Sequence, residues 1–184
     1  EFVALVKSKP GQFNYASIGA GTAAHLSAEI FNRAAGLDVV HVPFKTVADS
    51  YTEMYASRVH YVVYVAPAAM PAVREGKLHP LAVTGAKRFA PLPDVPTMTE
   101  AGLPGAEVET LFGLVAPAAT PRSAIAKLHA DVVSILRRPD TRERFERQGG
   151  EPAVDTTPAS YAKLLQAEYA RFRKLIPEIG LKPQ

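Results

Sequence analysis

Apolar positions in the first half of the chain switch repeatedly between a period of two and a period near 3.6. Phe13–Ser17 reads as a strand. Thr22–Ala35 reads as a helix, with Leu26, Ile30 and Ala34 on one face and Gly36 as its C-terminal stop. Val39–Phe44 reads as a strand ending at Pro43, and Val47–Ser57 as a helix. Val59–Val65, β-branched and aromatic, reads as a third strand, Pro67–Glu75 as a helix stopped by Gly76, and Leu81–Thr84 as a fourth strand. Strands alternating with helices of this length predict an α/β fold with a mostly parallel sheet covered on both faces.

The texture changes between Gly85 and Pro121, where Pro91, Pro93, Pro96, Pro104, Pro117 and Pro121 stand with Gly102, Gly105 and Gly113. Within this stretch Ala106–Val115 alone has the pattern of a strand, as expected of a chain crossing from one lobe to another. The last third is helical. Thr120-Pro121 and Thr157-Pro158 each read as an N-cap followed by proline at the first helical position. The first of these helices puts Ile125, Leu128, Val132, Ile135 and Leu136 on one stripe. The second does the same with Tyr161, Leu164, Leu165, Tyr169, Phe172 and Ile176, so both are expected to pack on a core. Phe2–Lys7, followed by Pro10-Gly11, reads as the end of a helix that the chain enters in mid-pattern, and further residues are expected ahead of Glu1 in the gene product.

Composition narrows the classes. An apolar content of 47% and a charged content of 21% describe an ordinary globular protein. The net charge of +3 is spread out. The densest run holds Arg137, Arg138, Arg142, Arg144 and Arg147 against Asp140, Glu143 and Glu146, the pattern of a solvated, salt-bridged helix face rather than a nucleic-acid surface. Phe145 within that run falls where a core residue would. Cysteine is absent, so no disulfide framework, thiolate metal site or cysteine nucleophile exists. The longest apolar run, Tyr61 to Met70, is interrupted by Pro67 and too short to cross a bilayer.

The chemistry concentrates at Ser17-Ile18-Gly19-Ala20-Gly21-Thr22-Ala23-Ala24-His25, a strand end, a glycine turn and the first turn of a helix. Backbone N–H groups at a helix start lack intrahelical partners, and the helix dipole adds positive charge there, so such a turn can cradle a carboxylate or phosphate. Gly19 and Gly21 admit unusual dihedrals, and Ser17 and Thr22 add hydroxyls. Two readings stand: an anion cradle, and a strand-to-helix turn whose glycines serve sterics alone. The turn is G-x-G with alanine at the third glycine position of the dinucleotide fingerprint, a weak nucleotide signal, and with no lysine after it the turn is no P-loop. His41, His60, His79 and His129 show no metal-ligand spacing, and His41 and His60 read as packed or edge residues of strands. Asp38/Asp49 and Glu107/Glu109 suggest no acid–base pair. Ser17 has no motif-linked triad, so no catalytic residue, metal or cofactor is assigned and the chain is read as a non-enzyme.

Taken together the segments resemble the Bug-type extracytoplasmic solute receptors of tripartite tricarboxylate transporters. The matching stretches are Phe13-Asn14-Tyr15-Ala16-Ser17 with Gly19, Gly21, Thr22, His25 and Leu26; His41-Val42-Pro43-Phe44-Lys45; Gly76-Lys77-Leu78 with Leu81-Ala82-Val83-Thr84; Leu92-Pro93-Asp94-Val95-Pro96-Thr97 with Glu100-Ala101-Gly102-Leu103-Pro104-Gly105; and Phe112-Gly113-Leu114 with Ala116-Pro117 and Thr120-Pro121. The resemblance implies a periplasmic binding protein of the type II-like fold, with two α/β lobes closing on a small carboxylate and a membrane transporter reading the closed shape. It implies that residues 1–104 are the second lobe, with 1–12 an inter-lobe helix end, and that 105–184 are the C-terminal helical share of the first lobe, the rest of which precedes this chain. Helices that would cover a fuller first lobe then expose their stripes and offer a route to a homodimer. No nucleic-acid partner is implied.

On that reading the ligand-binding candidates are Ser17, Gly19, Gly21, Thr22, His25, Lys45, Thr46, Tyr64 and Val65. His25 is weighed as a brace of the turn against a ligand contact, Lys45 as a solvated loop residue against a carboxylate attractor, Thr46 as an N-cap that also offers a hydroxyl, and Tyr64 as core packing against a cover for the ligand. The family usually follows the strand at Lys45 with glycine and a nearby proline, where this chain has Thr46-Val47-Ala48-Asp49. The family often carries an aspartate facing the cleft where Tyr64 or Val65 stands here, a departure that points to a different or more apolar ligand. Two rival readings accompany this one: the ligand-sensing domain of a transcription regulator, and a nucleotide- or phosphate-binding enzyme domain.

Overall fold

The computed structural model describes residues 1–148 and 150–181, and the chain divides into two compact units, 1–110 and 111–184. The first unit opens with α1 (Phe2–Lys7) and then alternates β1 (Asn14–Ser17), α2 (Ala23–Ala35), β2 (Val40–Pro43), α3 (Val47–Tyr55), β3 (Tyr61–Val62) and α4 (Ala66–Arg74). The strands form one parallel sheet in the order β2-β1-β3. Tyr15 pairs with His41 on one side and Tyr61 on the other. β1 buries Tyr15, Ala16 and Ser17 in succession, as a central parallel strand covered on both faces does.

α2 is fixed at both ends by its sequence. Thr22 caps it, its Oγ1 accepting the His25 N–H at 3.4 Å, and Gly36 closes it at φ +60°, where only glycine sits without strain. Of the expected Leu26–Ile30–Ala34 face, Leu26 and Ile30 are buried and Ala34 is exposed, while Ala28, Phe31 and Ala35 join Tyr15, Tyr61, Met98 and Ala106 in the core. The reason lies in the aromatic residues of the strands. Polar residues one helical turn apart meet them: Glu29 accepts from the Tyr15 hydroxyl, Asn32 accepts from the Tyr61 hydroxyl, and His25 stacks on His41.

β3 stops at Val62, short of the expected Val65, because Val65 already serves as N-cap of α4. The expected strand Leu81–Thr84 reduces to a single bridge between Val83 and Thr97, in which Val83 donates to Pro96 O at 2.9 Å and Met98 donates to Val83 O at 3.0 Å. Pro80 and Pro96 flank the bridge, and neither can donate to a ladder.

The second unit holds α5 (Arg122–Leu136), α6 (Pro139–Gln148) and α7 (Pro158–Glu178). Thr157 caps α7 in a reciprocal box with Ser160, as its sequence implies. At α5 the cap is Pro121 rather than Thr120: Pro121 is in an extended conformation and its carbonyl takes the N–H groups of Ala124 and Ile125. Neither α5 nor α6 fully buries a described residue: of the expected core stripe of α5, Ile125, Val132 and Leu136 are half-buried, while Leu128 and Ile135 are each 51% exposed. Phe145 is likewise exposed rather than core. The expected strand Ala106–Val115 does not form. Ala106 and Val108 are buried in the first unit and Val108 donates to Thr84 O, but from Glu109 to Ala116 the described residues make no backbone hydrogen bond, and Phe112 is 84% exposed. A strand exists only through a partner, and this segment has none among the described residues.

Candidate functional site

Because β1, β2 and β3 run parallel, their carboxyl ends share one edge, and each leads into a helix whose N-terminus lies at that edge. Unpaired N–H groups and the positive ends of the dipoles of α2, α3 and α4 therefore gather on one side of the sheet. The order reverses at β1: its chain returns through α2 to β2 on one flank, and β2 leads through α3 to β3 on the other. In open α/β sheets such a reversal marks the crevice where ligands are held.

The turn after β1 is built from inside. Gly19 has φ +128° and Gly21 φ +76°, conformations that strain residues with a Cβ. Ser17 is fully buried, and its Oγ accepts the Gly19 N–H at 3.1 Å. The Gly19 carbonyl accepts from Thr22 Oγ1 at 2.8 Å and lies 3.0 Å from Ser17 Oγ. Gly21 donates its N–H to His25 Nδ1 at 3.0 Å. Ala20, Ala23 and Ala24 are left with N–H groups that have no partner among the described residues, and Ala20 and Ala23 are exposed.

The sequence candidates thus fall into two groups. Ser17 and His25 face inward and brace the turn, whereas Gly19, Gly21 and Thr22 shape its rim. After β2, Lys45 is exposed, and Thr46 caps α3 by accepting the Asp49 N–H at 3.1 Å. After β3, Tyr64 donates its hydroxyl to Ser50 Oγ at 2.8 Å, and its ring lies 5.9 Å from that of Tyr51, so it is packed. Burial pushes the Tyr51 phenol up to about 12 and raises that of Tyr64, keeping both neutral. Val65 caps α4. Residues 17–23, 43–47 and 63–67 carry no acidic side chain, and Lys45 is their one cation.

Two contributors escaped the sequence reading. Ser50 is fully buried and anchors Tyr64. His41, read as a packing residue, places Nε2 2.7 Å from Ser17 Oγ and stacks its ring 3.9 Å from that of His25 and 4.9 Å from that of Tyr15. The one available signal was period-two spacing, which puts Tyr15 and Ser17 on one face of β1 with His41 paired beside Tyr15.

Burial, reinforced by the neighbouring His25, pushes His41 down to about 4; burial also lowers His25, and the Glu29 carboxylate opposes the shift in both. A histidine depressed in the folded state contributes stability that is complete above its unfolded value near 6.5 and is lost as pH falls through the folded value. Thermal melts are therefore expected to show the protein losing stability from about pH 6.5 downward, and His41→Gln is expected to flatten the part of that profile above pH 5, where most carboxylates stay ionised. Identical profiles for the two proteins would contradict it.

Over residues 1–181 the sequence matches the family described as "Tripartite tricarboxylate transporter family receptor". A UPF0065 protein from the tcbD-tcbE intergenic region of Pseudomonas sp. (strain P51) is 32% identical over 182 residues, covering 98% of this chain and 54% of the relative. Among solved structures, an R. palustris protein with adipate superposes with a TM-score of 0.85 at 31% identity, covering 100% of this chain and 61% of that one. MatC from Rhodopseudomonas palustris with bound malate gives 0.80 at 33% identity, covering 95% and 60%. The chain spans about half the length of the curated relatives it matches.

Proposed function

The chain belongs to the tripartite tricarboxylate transporter receptor family, and on that premise we propose that it captures a small carboxylate at the carboxyl edge of its sheet and presents it to a transporter of the tripartite tricarboxylate type. The family is one of receptors rather than enzymes, and the work is binding and closure, not chemistry. The observation that carries the reading is the edge where α2, α3 and α4 begin, with the amides of Ala20, Ala23 and Ala24 unspent and Asp49 of α3 the one acidic side chain in those three first turns. An anion placed there meets donors and dipoles, with Lys45 as a nearby positive charge. That relatives of this fold were solved with adipate and malate supports a carboxylate as the anion.

In this proposal residues 1–104 are the second lobe of the receptor and 105–184 the C-terminal share of its first lobe. The protein works in the periplasm. The exposed members of the α5 and α7 stripes, Leu128, Ile135, Leu164, Leu165 and Tyr169, offer a homodimer contact. Ser17, Gly19, Gly21, Thr22 and His25 form and hold the cradle, while Lys45, Thr46, Tyr64 and Val65 make its flanks. The neutral Tyr64–Ser50 pair at the end of β3 favours a ligand without an ammonium group.

A thermal-shift comparison of adipate, malate, nicotinate, an amino acid, NAD and ATP tests the reading. A ligand at about a hundredfold its Kd stabilises by about 2.7 kcal/mol, which raises the midpoint by several degrees. The expected result is a rise with carboxylates and none with NAD or ATP. A rise with a nucleotide alone, or no rise with any carboxylate, would overturn it.

A further inference from the structure

The two imidazoles stacked beneath the turn, His25 buried and His41 half-buried, hydrogen-bond to groups that hold its backbone. The Gly21 N–H donates to His25 Nδ1, so that nitrogen must be an unprotonated acceptor and the proton of neutral His25 sits on Nε2. His41 reaches from the neighbouring strand to Ser17 Oγ, and the same oxygen holds the Gly19 N–H. Two glycine amides of the turn are thereby directed inward, one through each histidine. The rings stack at 3.9 Å and 9° between planes, so neither can tilt without the other.

We propose that His25 and His41 are positioning residues of the anion site: as a stacked pair they commit the Gly19 and Gly21 amides to the interior and so fix the amides of Ala20, Ala23 and Ala24 as the donors that a carboxylate meets. The inference rests on the reading of the turn as a carboxylate cradle. The groups around the pair are consistent with both rings staying neutral. From β1, Tyr15 stacks on both rings and donates its hydroxyl to Glu29; from α2, the Glu29 carboxylate acts on both; from β3, Tyr61 stacks on Tyr15. Burial lowers both histidines, and it outweighs the pull of Glu29. A charged His25 would set a second donor against the Gly21 N–H and force that peptide to turn.

The test pairs each disruptive variant with one that keeps the hydrogen bond. Asparagine carries an acceptor near the place of Nδ1, and glutamine a polar atom near that of Nε2. His25→Asn and His41→Gln should therefore hold adipate within about threefold of the unsubstituted chain, whereas His25→Ala and His41→Phe should weaken it about tenfold, the loss expected for one hydrogen bond of this kind. A measurement on the unsubstituted chain needs no variant to fold: long-range proton–nitrogen spectra should show His25 Nδ1 unprotonated, with a coupling across the hydrogen bond to the Gly21 amide nitrogen. Adipate affinity unchanged in both disruptive variants, or a proton on His25 Nδ1 at pH 7, overturns the proposal. Failure of the unsubstituted chain to bind adipate or malate, with the Gly21 coupling present, would instead bring down the carboxylate reading and with it the role assigned to the pair.

Discussion

Gly19→Ala is expected to weaken carboxylate binding about ten- to hundredfold while leaving the rest of the first unit folded. The added Cβ itself is harmless, since it would stand 3.5 Å from Thr22 Cγ2, ordinary contact. The cost is in the backbone: at φ +128° an alanine is strained by about 1–3 kcal/mol, and relief of that strain at the expense of the donor amides weakens binding by a factor of the order named. The turn can relieve that strain only by rotating one of the two peptides that flank Gly19, and both are held, the first by Ser17 Oγ on the Gly19 N–H and the second by Thr22 Oγ1 on the Gly19 carbonyl. Either the strain stays, or the amides of Ala20 and Ala23 move. Calorimetric titration with adipate, alongside far-UV circular dichroism, reads both sides of this. Full affinity in a folded variant would show that the strain stays in the backbone and does not reach the amides of Ala20 and Ala23.

Phe31→Ala is expected to cost about 3–5 kcal/mol of stability, the usual range for removing a buried aromatic ring. Phe31 is 6% exposed on the inner side of α2 and meets Tyr61 edge-to-face at 5.8 Å. Tyr61 in turn packs at 5.4 Å against Phe2 of α1 and at 5.6 Å against Tyr15. One ring therefore ties a helix to two strands and to the opening helix. A domain with total stability of about 5–15 kcal/mol is brought close to unfolding by such a loss. Urea titration followed by circular dichroism measures it. A cost below about 1 kcal/mol, as at an exposed site, would show that this cluster is not the core.

Much of the first unit was legible because its signals are local. Thr22 and Gly36 bracket α2 by their own chemistry, and the strand–helix alternation that yields a parallel sheet needs no knowledge of distant contacts. The errors arose where a residue's role depends on what lies across from it. Ala34 fits an apolar stripe, but α2 turns His25, Glu29 and Asn32 toward the sheet because aromatic groups on the strands need those partners. Leu81–Thr84 and Ala106–Val115 have the composition of strands, but a ladder requires a second chain segment in register, and periodicity in one segment cannot supply it. The site followed the same division. The glycine turn could be read directly from Ser17 to Thr22, whereas His41, 24 residues beyond Ser17, enters only through strand pairing.

The bare segment between Glu109 and Ala116 has a consequence for how this polypeptide behaves in a tube. Leu111, Phe112, Leu114 and Val115 are open to water, and the backbone beside them offers donors and acceptors on both sides. A ribbon of that kind recruits whatever strand arrives, including its own copy, and is the natural seed for aggregation as protein concentration rises. Two residues limit the hazard. Pro117 ends any growing ladder on one side, and Gly113, set against the Tyr161 ring, leaves no room there for a bulkier side chain. Charged residues introduced at Phe112 or Leu114, far in sequence from the glycine turn, are expected to keep concentrated samples clear.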